Sequence, residues 1–184
     1  MTNDQNDMLA LGVRDGLPDA LRVLVREFPK TGWQSHPNFG QMVQFWLQRH
    51  AMFRQLLEVL ESDVQAVMDK QIDMDAYAPR LSRFGGMLLN GLHEHHHIED
   101  DHYFPRLVKL DARIEQGFEL LEADHQAMDG LLQTMARGAN AVLQGGEPGV
   151  FLGHLDEFGR MLNLHLTDEE EIIVPVILKT GFDG

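Results

Sequence analysis

An all-α fold, specifically an antiparallel up-down-up-down four-helix bundle with a short extra N-terminal helix, is predicted by three observations. Apolar residues recur at helical spacing through four long stretches, short turn-rich segments join them, and no segment alternates with period two between hairpin turns. Helices of about 30 residues would span roughly 45 Å, and short connections make neighbours antiparallel.

The chain has 184 residues, enough for one domain with a real core. It divides into an N-terminal extension, 1–37, and a bundle, 38–184. Residues 1–13 read as disordered. Within 17–28, Leu17, Leu21, Leu24, Val25 and Phe28 fall on one helical stripe. Such a stripe can cover one end or groove of the main body, or dock a partner or second subunit, which leaves a homodimer open.

The turn-rich FPKTGWQSHPN precedes helix 1, expected over about 38–69. That helix carries Met42, Val43, Trp46, Leu47, Phe53, Leu57, Leu60 and Val64 on one broad face. Helix 2 is expected over about 76–109, helix 3 over 112–144 and helix 4 over 148–178, with Gly145, Gly146 and Pro148 marking the last connection. Pro105 and Pro175 fall inside or near the ends of helical patterns, where the missing N–H and the ring bend or stop a helix.

Composition excludes several function classes. A net charge of −14, from 15 basic and 29 acidic residues, repels nucleic-acid backbones and anionic membrane surfaces. No apolar run approaches the ~20 residues needed to cross a bilayer. The N-terminus lacks the basic and apolar regions of a secretory signal, so a cytoplasmic protein is expected. Cysteine is absent, which removes disulfides, thiolate metal sites and cysteine nucleophiles together. Redox chemistry would have to come from a bound metal.

A doubled pattern supplies the candidate for such a site. His95-x-x-x-Glu99 followed by Pro105 recurs 70 positions later as His165-x-x-x-Glu169 followed by Pro175. Residues four apart share a helix face, so each pair can aim an imidazole and a carboxylate at one point. Without thiolates, that donor set favours iron or manganese over a closed structural zinc site. Helices 1 and 3 each offer one histidine at a matching place, His50 and His125. The chain thus reads as two hairpins, each with a His on its first helix and His-x-x-x-Glu on its second. Four imidazoles shared between two ions, with two bridging carboxylates, give four protein ligands per metal. An octahedral ion would keep two positions open for an oxo bridge, water, dioxygen, peroxide or nitric oxide.

Three further residues are candidate ligands or hydrogen-bond partners of ligands. His102 lies seven positions after His95 and, at 100° per residue, returns to within about 20° of it. His96 is one residue off phase with Asp100 four after it, so a one-position shift of register would substitute that pair for His95 and Glu99. Asp129 follows His125 by four. His93 and His97 point away from His95 and are expected at the surface or between helices.

On the segments HHHIEDDHYFP (95–105) and HLTDEEEIIVP (165–175), the chain resembles the hemerythrin-like HHE cation-binding family over about 38–178. The resemblance implies a four-helix bundle holding two non-haem iron ions, oxo- or hydroxo-bridged, with manganese as the alternative metal. The family's ligands would fall on His50, His95, Glu99, His125, His165 and Glu169. Binding or sensing of O2, NO or peroxide, or handling of iron, follows as the expected function. A di-iron oxidase, peroxidase or ferroxidase is the enzyme alternative, and a metal-free structural or partner-binding bundle the third. Oxygen-carrying members differ in having a His-x-x-x-His pair on the third helix, where this chain has Leu121 and Asp129 four residues either side of His125. Iron-centre repair members differ in their cysteine-containing N-terminal segment.

Overall fold

A computed structural model describes residues 9–184. Among them are helices α1 (Val23–Glu27), α2 (Gln41–Met68), α3 (Met74–Ile98), α4 (Phe104–Leu107), α5 (Glu115–Leu143) and α6 (Pro148–Thr180), and no strand. Residues 1–8 of the expected disordered stretch lie outside the described residues. The all-helical expectation holds, and local chemistry sets several of the boundaries. Asp73 caps α3 by accepting from the Ala76 N–H at 2.9 Å. Pro148 opens α6 where no N–H is needed, and Gly181, at φ 69°, closes it in the left-handed conformation.

Each long helix packs on two others: α2 against α3 and α6, and α5 against α3 and α6. Contacts run in opposite chain order along these pairs. On α2 and α3, His50 meets His95 and Asp63 meets Arg80; on α2 and α6, Trp46 meets Glu169 and Leu57 lies beside Gly159. A Cβ at Gly159 would lie 2.6 Å from Leu57 Cδ2 and 3.2 Å from Glu61 Oε1. Gly159→Ala is therefore expected to cost ~1–3 kcal/mol by overpacking, read as a lower midpoint of urea unfolding.

The interior is divided. One apolar cluster holds Phe53, Leu60, Leu88, Leu92, Met128, Leu162 and Leu166; the other holds Val43, Trp46, Phe104, Leu121, Ile172 and Ile173. On α2, α5 and α6 the switch between clusters falls beside a buried histidine, His50, His125 and His165, and on α3 the buried His95 follows Leu92, the last residue of the first cluster there. A polar layer thus crosses the bundle between two apolar halves.

Three sequence expectations are corrected. The expectation of disorder to residue 13 does not hold for the described part of that stretch, because Leu11 is 2% exposed and the adjoining Arg14 is buried in ion pairs. The N-terminal stripe is buried except for the partly buried Phe28, and it packs into the second cluster, covering that end of the bundle. Only Val23–Glu27 of it is α-helical, after a 3-10 turn at Asp19–Leu21.

Helix 2 does not run unbroken to 109. A π-helical turn, Glu99–Tyr103, separates α3 from α4, and 3-10 turns at Val108–Leu110 and Ala112–Ile114 lead into α5. Pro105 offers no N–H to the carbonyl four residues before it, and its ring crowds that carbonyl, so the chain widens its turn just ahead of it. The two prolines have unequal consequences, because Pro175 sits inside continuous α6. There every residue from Ile172 to Leu178 is buried, and packing on all faces carries the helix past the missing hydrogen bond.

Candidate metal centre

Two groups of ligand-type side chains meet in the polar layer. His50, His95, Glu99 and Glu169 form one, and His96, His125 and His165 the other; within each, ligand atoms lie within 4.8 Å of one another, and all seven residues are buried. All six residues expected from the doubled pattern are therefore brought together. His96 joins them, so the register question has a composite answer: both histidines face inward, each toward a different group. Asp100 is half-buried and accepts from His125 Nδ1 at 2.8 Å.

The carboxylates connect the two groups. Glu99 places Oε1 3.1 Å from His95 Nε2 and Oε2 3.7 Å from His125 Nε2. Glu169 places Oε1 3.2 Å from His50 Nε2 and Oε2 3.5 Å from His165 Nε2. The Trp46 indole N–H donates to Glu169 Oε1 and fixes that carboxylate from the second apolar half.

A further ring of acids holds the imidazoles from behind. His50 Nδ1 lies 3.0 Å from Glu170 Oε1, His125 Nδ1 2.8 Å from Asp100, and His165 Nδ1 3.3 Å from Asp124. An acceptor at Nδ1 places the proton there and turns the Nε2 lone pair inward, the arrangement found behind metal-bound histidines. Glu170 is itself held by Arg54 at 2.8 Å. Asp124 is held by Arg14, whose Nη1 donates to Oδ1 at 2.8 Å and whose Nη2 pairs with Oδ2, while Arg14 Nε reaches Asp168 at 3.0 Å. A residue from the N-terminal extension is thereby part of the scaffold of the centre.

Several inward atoms have no hydrogen-bond partner: both ring nitrogens of His96, both oxygens of Glu99, Nε2 of His125 and of His165, and Oε2 of Glu169. Leaving such a group buried and unpaired costs ~1–3 kcal/mol each. Cations placed between the two groups would satisfy the carboxylate oxygens and one nitrogen of each imidazole, and these donors suit iron or manganese. The residues fit a dinuclear metal site.

Electrostatics in the protein alone sort these groups by charge. Burial pulls His50 down, but the Glu169 and Glu170 carboxylates outweigh it and raise His50 to about 9. Burial lowers His95 to about 3 and His96 well below the ordinary range, the latter helped by His125 and His165. Glu99 is pushed well above the usual carboxylate range by burial and by Glu169. Glu169 moves the opposite way, because His50 overcomes its burial penalty. The pair is thus driven apart, Glu99 toward its protonated form and Glu169 toward the charged form that faces the His50 imidazolium.

Two candidates are placed elsewhere. His102 is exposed on the π-helical turn. Its expected alignment with His95 assumed an unbroken α-helix, and one extra residue in a turn displaces the phase by about 100°. Asp129 is exposed and lies outside both inner groups, although it lines a cavity above His96 and His125. His93 and His97 are exposed, as expected.

Sequence reasoning missed Asp124, Glu170, Asp168 and Arg14. The first three are immediate neighbours of His125 and Glu169, and that adjacency was the available signal. Arg14 had a weaker one, its place midway between Leu11 and Leu17, three residues from each.

No helix among the described residues is long and apolar enough to cross a membrane. No match is found among curated proteins or among solved structures. A family model, the hemerythrin HHE cation-binding domain, matches residues 41–177, a span that contains both inner groups and excludes Arg14. The chain is a member of the hemerythrin HHE cation-binding domain family.

Proposed function

We propose that the chain is a non-haem di-iron protein that binds or senses O2, NO or peroxide, built on an antiparallel up-down-up-down bundle. Support for the topology comes from the opposite chain order of contacts between neighbouring helices. The observation that carries the function is the double span of Glu99 and Glu169, each offering one oxygen to either histidine group, with imidazoles pinned from behind by acids.

In this reading His50 and His95 hold one ion, and His96, His125 and His165 the other. Both carboxylates serve the two positions. The sequence assigned four imidazoles evenly; with His96 the division becomes two and three. With four protein donors on the His50 side and five on the other, octahedral ions would leave positions open on both. Bound iron would supply those open positions and the electrons for chemistry with O2, NO or peroxide. The chain's own residues set the geometry: Trp46 and the acids behind the imidazoles fix ring and carboxylate orientation, and the apolar halves limit water on both sides.

Protein expressed in iron-rich medium should contain about two iron per chain, from this pairing of donors, and show oxo-to-iron absorption. Metal-free protein from such cells would sink the proposal. Glu99→Ala is expected to reduce iron content and remove that absorption while the helical circular dichroism remains.

A further inference from the structure

A cavity of about 250 Å³ opens between α3 and α5 above the His96 side of the centre. Every residue lining it is His, Asp, Glu or Gln, and none is Lys or Arg. Its floor is the stacked pair His96 and His125, ring centroids 4.1 Å apart and 13° from parallel. His96 is 4% exposed and neither of its ring nitrogens has a partner. At the mouth stand His93 and His97, both exposed, one turn apart on α3, with ring centroids 4.4 Å apart. Asp129 and Glu122 of α5 line the same space.

The other opening to the centre differs in kind. It is lined by Phe45, Trp46, Ile98 and Tyr103 and carries Arg49 beside His95 and Glu99, with Glu94 3.8 Å from the Arg49 guanidinium. A cation gains less from that surface, where the Glu94 carboxylate is already paired with Arg49 and the rest of the rim is aromatic or apolar. The His- and acid-lined cavity offers donors along its whole depth.

We infer that the α3–α5 cavity is the port by which a divalent transition-metal cation reaches and leaves the inner centre, and that His93 and His97 form a separate cation site at its mouth. The inference rests on the reading of the inner centre as a metal site. Two histidines at i and i+4 share one helix face and can chelate a single ion, and the carboxylates of Asp100, Glu122 and Asp129 draw cations toward them. A cleft lined by one sign of charge raises the local concentration of its counter-ion by about 10- to 1000-fold. The ion then passes from the exposed imidazoles to the unpartnered nitrogens of His96 and His125, exchanging water for ligands without crossing an apolar stretch. A site on the path accelerates movement in both directions and leaves the equilibrium occupancy of the inner centre alone.

The test uses the full iron-loaded chain. After reduction, release of Fe(II) to an excess of chelator is followed optically in wild type and in His93→Ala/His97→Ala. Release in the double variant is expected to slow roughly tenfold, the lower end of the usual effect of removing a partner group from a metal site, with iron content before release unchanged. Titration of the iron-loaded wild type with Zn(II) is expected to reveal one further ion per chain, lost in the double variant. Release at the wild-type rate in the double variant, or no additional Zn(II) on the wild type, overturns the port. Wild-type protein without iron would instead end the reading of the inner centre, so the two failures are distinct.

Discussion

Arg14→Leu is expected to cost about 3–5 kcal/mol of folding stability, the loss typical when one member of a buried ion pair is removed. Arg14 is 6% exposed and its guanidinium lies against two buried carboxylates, Asp124 and Asp168. Even beside Arg14, burial raises Asp168 to about 6. Asp124 stays below its ordinary value because His165 and Arg14 overcome its burial. Without the guanidinium, two carboxyl groups share a dry site with no counter-charge. Urea unfolding at pH 7 measures the change, and a loss under about 1 kcal/mol, the size of an exposed pair, would show the cluster to be incidental. Adding Asp168→Asn should recover part of the stability by removing one unpaired charge. Because Asp124 orients His165, Arg14→Leu should also weaken metal binding by about 10- to 100-fold, the usual effect of disturbing a partner behind a ligand.

Metal binding by chelator-stripped protein is expected to release protons, and its apparent affinity should rise about tenfold per pH unit per proton displaced. The sign follows from His50. Raised to about 9 by Glu169 and Glu170 acting against burial, it carries a proton at pH 7 that must leave before Nε2 can bind a cation. Glu99, raised well above the usual carboxylate range by burial and by Glu169, acts in the same direction. Affinity should therefore climb between pH 6 and 9 and level off once His50 is neutral. His95 and His96, neutral well below pH 6, contribute nothing to that slope. Calorimetry in buffers of different ionisation enthalpy counts the protons, and binding that is flat from pH 6 to 8 would refute the assignment. The linked stability runs the other way. A His raised in the folded state stabilises fully below its unfolded value near 6.5, and that contribution disappears as pH rises through about 9. Stripped protein should thus lose stability over the same range in which it gains affinity.

The fold class and six of the seven inward residues were legible because both depend on spacing. Helical periodicity exposes α2, α3, α5 and α6, and the repeated His-x-x-x-Glu marks two helix faces aimed at one point. The limits of legibility have the same origin. A periodicity argument assumes 100° per residue, and the π-helical turn at Glu99–Tyr103 breaks it, which misplaces His102. The inward turn of both His95 and His96 follows from the meeting of α3 with α2 on one side and α5 on the other, a tertiary fact that one helix cannot announce. Arg14 was hidden for a related reason, since its partners lie 110 and 154 residues away.

The polar layer between the two apolar halves has a mechanical consequence. A bundle constricted by ionisable groups at its waist has two hydrophobic ends that can each stay packed while the middle loosens, and local opening follows the zones with fewest buried apolar contacts. Chelation should accordingly raise amide hydrogen exchange first around residues 95–103 and 124–126, leaving the amides near Leu60 and Ile173 slow. Occupancy of the centre would then act as a rivet joining two cores.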